Sequence, residues 1–89
     1  MSSYGAVPVT TEPTLIIAAN CDRKEIMITN YSMSVLCFIG MDNQVSTVNG
    51  SPFVPGQVRG HTRGFGSWLG DIWAVTESGE ADIRYWETT

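Results

Sequence analysis

The sequence predicts a small all-β domain, either an antiparallel β-sandwich or a flattened barrel of about six to eight short strands. β-Branched and aromatic residues recur in short runs along the 89-residue chain. Glycine, proline, asparagine or serine closes each run, so turn signals return roughly every ten residues. Because the runs and their turns fill most of the chain, almost no room remains for a helix.

The first thirteen residues are predicted to form an extended N-terminal arm, and residues 14–89 a single sandwich domain. Two prolines in the arm lack the N–H group that a sheet ladder requires, and the segment has no helical period. Such an arm is either disordered when free or ordered along a neighbouring subunit. Both alternatives remain open at this point.

Seven later segments have the residue types and lengths of strands. They are residues 14–18, 25–29, 35–39, 44–48, 57–62, 71–76 and 81–86. The alternation of side chains along a strand places Ile26 and Ile28 on the core face and Met27 on the opposite face. By the same alternation, Ile83 and Tyr85 face the core.

Polar turns rich in Asn, Asp, Ser and Gly separate these strands. Residues 25–29 and 35–39 are close enough in sequence to favour a hairpin. Asn49-Gly50 is a strong signal for a two-residue hairpin turn. We therefore expect neighbouring segments to pair with each other.

Prolines and glycines mark two irregular segments. Pro52 and Pro55 exclude their segment from the centre of a sheet, so we expect Phe53 and Val54 to close one end of the core. Residues 63–70 combine three glycines with three large apolar side chains, which indicates a loop.

Charge and length limit the partners of this chain. Five Lys and Arg residues against nine Asp and Glu residues give a net charge of −4, which provides no attraction to nucleic acid or to an anionic membrane. The sequence has no signal-peptide pattern and no apolar run near the roughly 20 residues that span a bilayer. A domain this short gains stability by docking onto a partner or onto its own copies, which predicts a homo-oligomer.

No group of residues has the spacing of a catalytic or metal site. Cys21 and Cys37 are predicted to be free thiols, with Cys37 buried as a small hydrophobe. His61 could in principle join Ser67 and Asp71 in a triad, but the glycines around Ser67 miss the nucleophile-elbow spacing by one residue. The two cysteines and the histidine lack paired zinc-ligand spacing. We therefore predict no enzyme activity, no metal and no cofactor.

Three tryptophans, Trp68, Trp73 and Trp86, are many for a chain of this length. Tryptophan is enriched among the anchor residues of interfaces. If Ile72 and Ala74 point inward, Trp73 points outward, and the alternation places Trp86 outward as well. These tryptophans indicate a contact surface, unless both faces of their strands are covered within the monomer.

From Thr14 to Trp86, the order of motifs resembles that of a group of small β-structured bacteriophage virion proteins. Their shared pattern contains Asn-x-x-Arg-Lys, an apolar strand ending in Asn, a short strand ending in Ile-Gly, a turn with two prolines between glycines, Ile-Trp-Ala-Val and Gly-x-Ala-Asp-Ile-Arg. In this chain the motifs are residues 20–24, 26–30, 38–40, 50–56, 72–75 and 79–84. Each motif alone is only a strand or a turn, so the resemblance depends on their order.

The resemblance implies a non-enzymatic capsid decoration, or cement, protein of the virion, assembled in the host cytoplasm. Its partner would be the major capsid protein, and its copies, as trimers, would cover junctions between capsid subunits. The loop at residues 60–70 departs from the shorter connection usual in that group. The candidate contact residues are Tyr4, Val7, Val9, Phe65, Trp68, Leu69, Trp73 and Trp86.

Two other functions remain open. One is a tail- or fibre-associated module that binds a host glycan, with an exposed tryptophan as the stacking platform. The other is a head–tail or tail-tube component. A tail-tube component would form rings, whereas cement proteins usually form small closed oligomers, so oligomer size separates these two.

Overall fold

The computed structural model describes residues 2–62 and 69–89, which contain eight strands and no helix. The strands are β1 (Ser2–Val9), β2 (Thr14–Ile17), β3 (Glu25–Asn30), β4 (Cys37–Gly40), β5 (Ser51–Phe53), β6 (Val58–Thr62), β7 (Ile72–Thr76) and β8 (Ala81–Thr88). The predicted all-β sandwich is confirmed. No helix in this described part of the chain could cross a membrane.

Two four-stranded sheets make up the sandwich. Sheet 1 has the order β1-β8-β3-β6 and sheet 2 the order β2-β7-β4-β5, and all neighbouring strands are antiparallel. Only β4 and β5 are neighbours both in sequence and in a sheet, and every other connection crosses between the sheets. This is the topology of a jelly roll, in which the chain winds alternately through two facing sheets.

The core lies between the sheets and is built from alternate residues of the strands. It contains Val9, Ile16, Ile26, Ile28, Cys37, Phe53, Ile72, Ala74, Ala81 and Ile83. The predicted alternation is confirmed in β3 and β8: Ile26, Ile28 and Ile83 are buried, Met27 is exposed, and Tyr85 packs against the core. Burial of one face of each sheet therefore sets the register.

Residues 2–9 differ from the predicted arm. They are extended, but they form an edge strand of the sandwich that pairs with β8 from Ser2 to Val9. Val9 is completely buried and Val7 packs against the core, so burial of this face holds the segment in the sheet. Pro8 is tolerated because it lies at the sheet edge, where no neighbouring strand requires its N–H group.

Gly5 of β1 is required by a close approach. A Cβ atom at this position would lie 2.9 Å from the Tyr85 hydroxyl oxygen and 3.0 Å from Tyr85 Cε1. The Tyr85 ring therefore covers the backbone of Gly5. Any larger residue at position 5 would have to displace that ring from the core.

Arg23 fixes one end of the sandwich. It is completely buried and forms an ion pair with Glu87 of β8 through its Nε atom. Nη1 donates to the Gly70 carbonyl oxygen at 3.2 Å, and Nη2 donates to the Ala18 carbonyl oxygen at 2.8 Å. One side chain thus ties the segments that flank β2, β3 and β7 to strand β8.

Asn30 fixes the opposite end of β3 and explains why the expected hairpin is wrong. Its Nδ2 donates to the carbonyl oxygens of Val35 at 2.9 Å and Phe53 at 2.8 Å. Its Oδ1 accepts from the Ser32 backbone N–H at 3.1 Å. This buried amide stabilises a chain reversal that leads into sheet 2, so β3 and β4 lie in different sheets.

The predicted strand at residues 44–48 is also wrong, because residues 41–50 form turns between β4 and β5. The Asn49 side chain accepts from the Ser46 N–H at 2.7 Å and donates to the Gln44 carbonyl oxygen at 3.1 Å. Such local side-chain bonds compete with a sheet ladder. Asn49-Gly50 therefore belongs to a longer connection and not to a two-residue hairpin turn.

The prediction for the proline segment is half correct. Phe53 is completely buried in the core, as expected, whereas Val54 is 49% exposed. Pro52 lies in β5, which is an edge strand of sheet 2. Because Phe53 and Val54 are adjacent on an extended segment, only one of them faces the core.

Removal of the Glu87 charge is predicted to destabilise the fold strongly. The substitution Glu87→Gln keeps the size of the side chain but removes the carboxylate that pairs with the buried Arg23 Nε atom. Breaking a buried ion pair by removing one partner costs about 3–5 kcal/mol. The control is Asp82→Asn, which breaks the Arg84–Asp82 pair, whose side chains are 53% and 41% exposed. Exposed pairs contribute little, so urea denaturation should show almost no change. Equal effects of the two substitutions would contradict the role assigned to Arg23.

Cysteine reactivity is predicted to differ between the two thiols. Cys21 is exposed and Cys37 is buried. A thiol reagent should modify Cys21 quickly in the native protein and Cys37 only after denaturation. Mass spectrometry of the modified chain would identify the labelled residue. Rapid labelling of Cys37 under native conditions would contradict its place in the core.

Stability is also predicted to fall in alkaline solution. Burial raises the pKa of the Cys37 thiol from 9.0 to about 11. The folded state therefore holds this proton more tightly than the unfolded state, and the contribution is complete below pH 9 and is lost as the pH rises towards 11. Two pKa units correspond to about 2–3 kcal/mol. Urea denaturation across this range should show a steeper fall for the native sequence than for Cys37→Ala.

Candidate functional site

A row of exposed apolar side chains crosses the outer face of sheet 1. The strand register aligns Tyr4 of β1 with Trp86 of β8, Trp86 with Met27 of β3, and Met27 with Gly60 of β6. Tyr4 is 82% exposed, and Trp86 and Met27 are each 42% exposed. We call these three side chains the apolar row.

Gly60 leaves the end of the apolar row open. A Cβ atom at this position would meet only the Ile26 carbonyl oxygen at 3.6 Å and Met27 Cε at 3.9 Å, both at ordinary contact distance. The absence of a side chain therefore exposes the flank of Met27. The next aligned position of β6, Val58, is 53% exposed and extends the apolar surface.

Polar and charged residues border the apolar row on one side. Arg84 donates to the Asp82 carboxylate at 3.0 Å, and its guanidinium lies 4.2 Å from the centre of the Tyr31 ring. Hydrogen bonding to Asp82 raises the pKa of Arg84 above its ordinary value. An apolar centre with a polar border is the usual composition of a protein–protein interface.

Two of the predicted contact residues, Tyr4 and Trp86, belong to the apolar row. Val9 is buried in the core and Val7 packs against it, so neither forms an outer surface. Because side chains alternate along β1, the predicted contact residues of the N-terminal segment lie on two opposite faces of the strand. Only Tyr4 of that group points towards solvent on the outer face.

The other predicted contact residues lie elsewhere. Trp73 is half-buried in sheet 2, and its indole Nε1 donates to Asp71 at 3.5 Å. The Leu69 carbonyl oxygen accepts from the Asn20 N–H at 2.8 Å. Phe65 and Trp68 lie outside the described residues. The structure thus separates Trp73 from the apolar row by placing the two on different sheets.

Met27 and Val58 belong to this surface, although the sequence did not single them out as contact residues. The alternation in β3 already places Met27 opposite the buried Ile26 and Ile28. The missing information was that β8 pairs with both β1 and β3. These pairings join residues far apart in the chain, so they cannot be predicted from the residue types of a single strand.

A second candidate is a cavity of about 260 Å³ between the sheets, lined by Ile26, Ile28, Ile39, Gly40, Met41, Arg59 and Ile72. Arg59 is the one charged residue of this lining, and its Nη1 donates to Ser51 Oγ at 3.0 Å. Its Nη2 donates to the Pro52 carbonyl oxygen, and its guanidinium lies over the Phe53 ring at 5.3 Å. The arginine is thus engaged in holding β5 against β6. The lining gives no polar group arranged to orient a ligand.

Residues 2–62 and 69–89 hold no metal-binding cluster. Within these ranges, no three His, Cys, Asp or Glu side chains come together to hold a metal ion. Asp71, considered for a triad, accepts from the Ala19 N–H at 2.7 Å. Ser67 and the side chain of His61 lie outside the described part of the structure.

Comparisons with other proteins add no family assignment. Jelly-roll domains occur in viral capsids, lectins and cupins, whose functions are unrelated, so the topology alone does not specify a function. No protein-family model, curated protein or solved structure matches this chain. The apolar row is therefore the feature of the described chain that bears most directly on its function.

Proposed function

We propose that this protein is a structural component of a bacteriophage virion, a capsid decoration protein that binds the outer surface of the head. Its partner is the major capsid protein, and its mechanism is the addition of interface area across junctions between capsid subunits. The protein is not an enzyme in this proposal. It assembles onto the particle in the host cytoplasm and remains in the virion.

The apolar row carries this proposal. Tyr4, Trp86 and Met27 lie side by side on adjacent strands, and a two-ring aromatic cluster of this kind is typical of interface anchors. Arg84, Asp82 and Tyr31 at the border can form polar contacts that exclude water from the centre. A rigid sheet presents these side chains without ordering a loop, which lowers the entropy lost on binding.

The motif order adds support of a different kind. The motifs that resemble phage virion proteins contain Arg23 and Asn30, whose buried hydrogen bonds hold the sandwich together. They also contain Gly56 and Gly79, whose φ angles of 82° and 77° require glycine. The resemblance therefore supports a sandwich framework shared with those virion proteins, whereas the apolar row supplies the proposed contact surface.

Glycan binding is a second candidate function, favoured by one observation. The Tyr4 and Trp86 side chains are neighbours on the same exposed face. Aromatic side chains on a flat surface can stack against the apolar faces of sugar rings. The charged and hydroxyl groups of Arg84, Glu25 and Thr88 lie at adjacent positions of the same sheet and could supply hydrogen bonds.

Binding to capsids is predicted to depend on the apolar row. Purified protein should bind saturably to capsid shells that lack it and raise the temperature at which they rupture. Trp86→Thr and Tyr4→Thr should each weaken binding at least tenfold, because central aromatic residues dominate interface energy. Co-sedimentation measures the affinity, and light scattering during heating measures rupture.

The matched control is Met33→Thr, which removes an apolar side chain that is 98% exposed and lies in a turn outside the apolar row. It should leave binding unchanged. Thermal unfolding of each variant checks that the fold is intact. Failure of the native protein to bind any capsid surface would refute the decoration function, and glycan binding abolished by Trp86→Thr would establish the second candidate instead.

A further inference from the structure

Within residues 2–62 and 69–89, strand β1 leaves one edge of sheet 1 unpaired. The Asp82 carbonyl oxygen accepts from the Tyr31 N–H at 2.8 Å, and the Asp82 N–H donates to Ser32 Oγ at 3.0 Å. The backbone of Asp82 therefore points away from β1, and its partner Pro8 forms no ladder bond with β8. Because the register is unbroken, the backbones of Ser2, Tyr4 and Ala6 also face the free edge.

This edge has few of the features that usually prevent strand pairing. Its eight residues, Ser-Ser-Tyr-Gly-Ala-Val-Pro-Val, contain no charge, and no register shift interrupts the strand. By contrast, edge strand β5 has three residues including a proline, and edge strand β2 has a register shift between Leu15 and Ile17. Among the described residues, none outside β8 pairs with β1.

We propose that two copies of this chain pair through their β1 strands, antiparallel about a two-fold axis at Gly5. Tyr4 of each copy then lies opposite Ala6 of the other, and the two residues exchange both backbone hydrogen bonds. The N–H of each Ser2 reaches the carbonyl oxygen of Pro8 in the other copy. The missing N–H of Pro8 falls at the end of this ladder, where its loss matters least.

Side-chain size favours a second copy as the occupant of the edge. In this register, the Tyr4 ring lies beside the methyl group of Ala6, and Val7 lies beside Ser3. Gly5 meets Gly5 at the axis, where the Tyr85 ring already covers the inner side of each glycine. A larger residue thus meets a smaller one in the Tyr4–Ala6 and Val7–Ser3 pairs, and two glycines meet at the axis, which gives the self-complementarity that an isologous contact requires.

The distribution of charge also favours β1 as the place where two copies pair. Each chain has a net charge of −4, so association of two copies is opposed at most parts of the surface. The β1 segment is uncharged, and pairing there brings no acidic side chain into the ladder. The contact also lengthens the apolar surface, because Ala6 of the second copy lies next to Tyr4, the last member of the apolar row.

The proposal concerns the purified protein alone and is independent of capsid binding. Sedimentation equilibrium under reducing conditions, which exclude a disulfide through the exposed Cys21, should give twice the mass of one chain. Ala6→Pro removes one inter-copy N–H from each chain without touching the β8 ladder. It should weaken dimerisation on the order of 30-fold, taking a factor of about five for each hydrogen bond.

Pro8→Ala is the reciprocal variant. It adds an N–H group at the free edge, so the dimer should become tighter. Thermal unfolding confirms that each variant folds. If Ala6→Pro does not fold, Ala6→Lys replaces it, because Ala6 is exposed in the monomer and a lysine there would bring like charges of two copies together.

Amide hydrogen exchange locates the contact. In a monomer, the Tyr4 and Ala6 amides face solvent and exchange quickly, whereas those of Gly5 and Val7 are held by β8. In the proposed dimer, Tyr4 and Ala6 become protected as the concentration rises. A monomer at all concentrations, a trimer, or a dimer with unprotected Tyr4 and Ala6 amides would each overturn the proposal.

Discussion

The buried ion pair between Arg23 and Glu87 is the interaction on which the arrangement of this sandwich depends most. A completely buried guanidinium must have its donors satisfied, and here the partners come from β8 and from the ends of the segments around β2 and β7. The position of Arg23, two residues before β3, therefore determines how that strand enters sheet 1. Asn30 performs the same task at the other end of β3, where its amide directs the chain into sheet 2.

With both ends of β3 fixed, strand β8 can pair on one side with β3 and on the other with β1. That pairing creates the outer face of sheet 1. Trp86 becomes the middle member of the apolar row only because Met27 and Tyr4 occupy aligned positions on its two neighbours. The framework residues and the surface residues thus have separate roles, the first holding polar groups inside and the second presenting apolar groups outside. Capsid binding is proposed for the face of sheet 1 and self-pairing for its β1 edge, and Tyr4 takes part in both.

Several features could be predicted from local sequence because their causes are local. Alternation in β3 and β8 correctly identified Ile26, Ile28 and Ile83 as core residues, since one face of each strand is buried. Phe53 was correctly expected in the core on different grounds, because the prolines on either side of it exclude its segment from the centre of a sheet. The predicted hairpin after β3 failed because a buried side chain, Asn30, redirects the chain. The predicted strand at residues 44–48 failed because Asn49 and Ser46 bond to the local backbone instead of leaving it free for a ladder.

The sequence by itself determined that this protein is all-β, which residues alternate between core and solvent, and that it carries an acidic surface with few charges near its N-terminus. These properties follow from residue type and from the two-residue period of a strand. Only the tertiary structure decided that residues 2–9 are part of the sheet and that Tyr4, Trp86 and Met27 form one row. It also decided that one edge of β1 pairs with no other strand of the described chain. Pairing between β1 and β8 joins opposite ends of the chain, and such long-range contacts leave no periodic trace in the sequence.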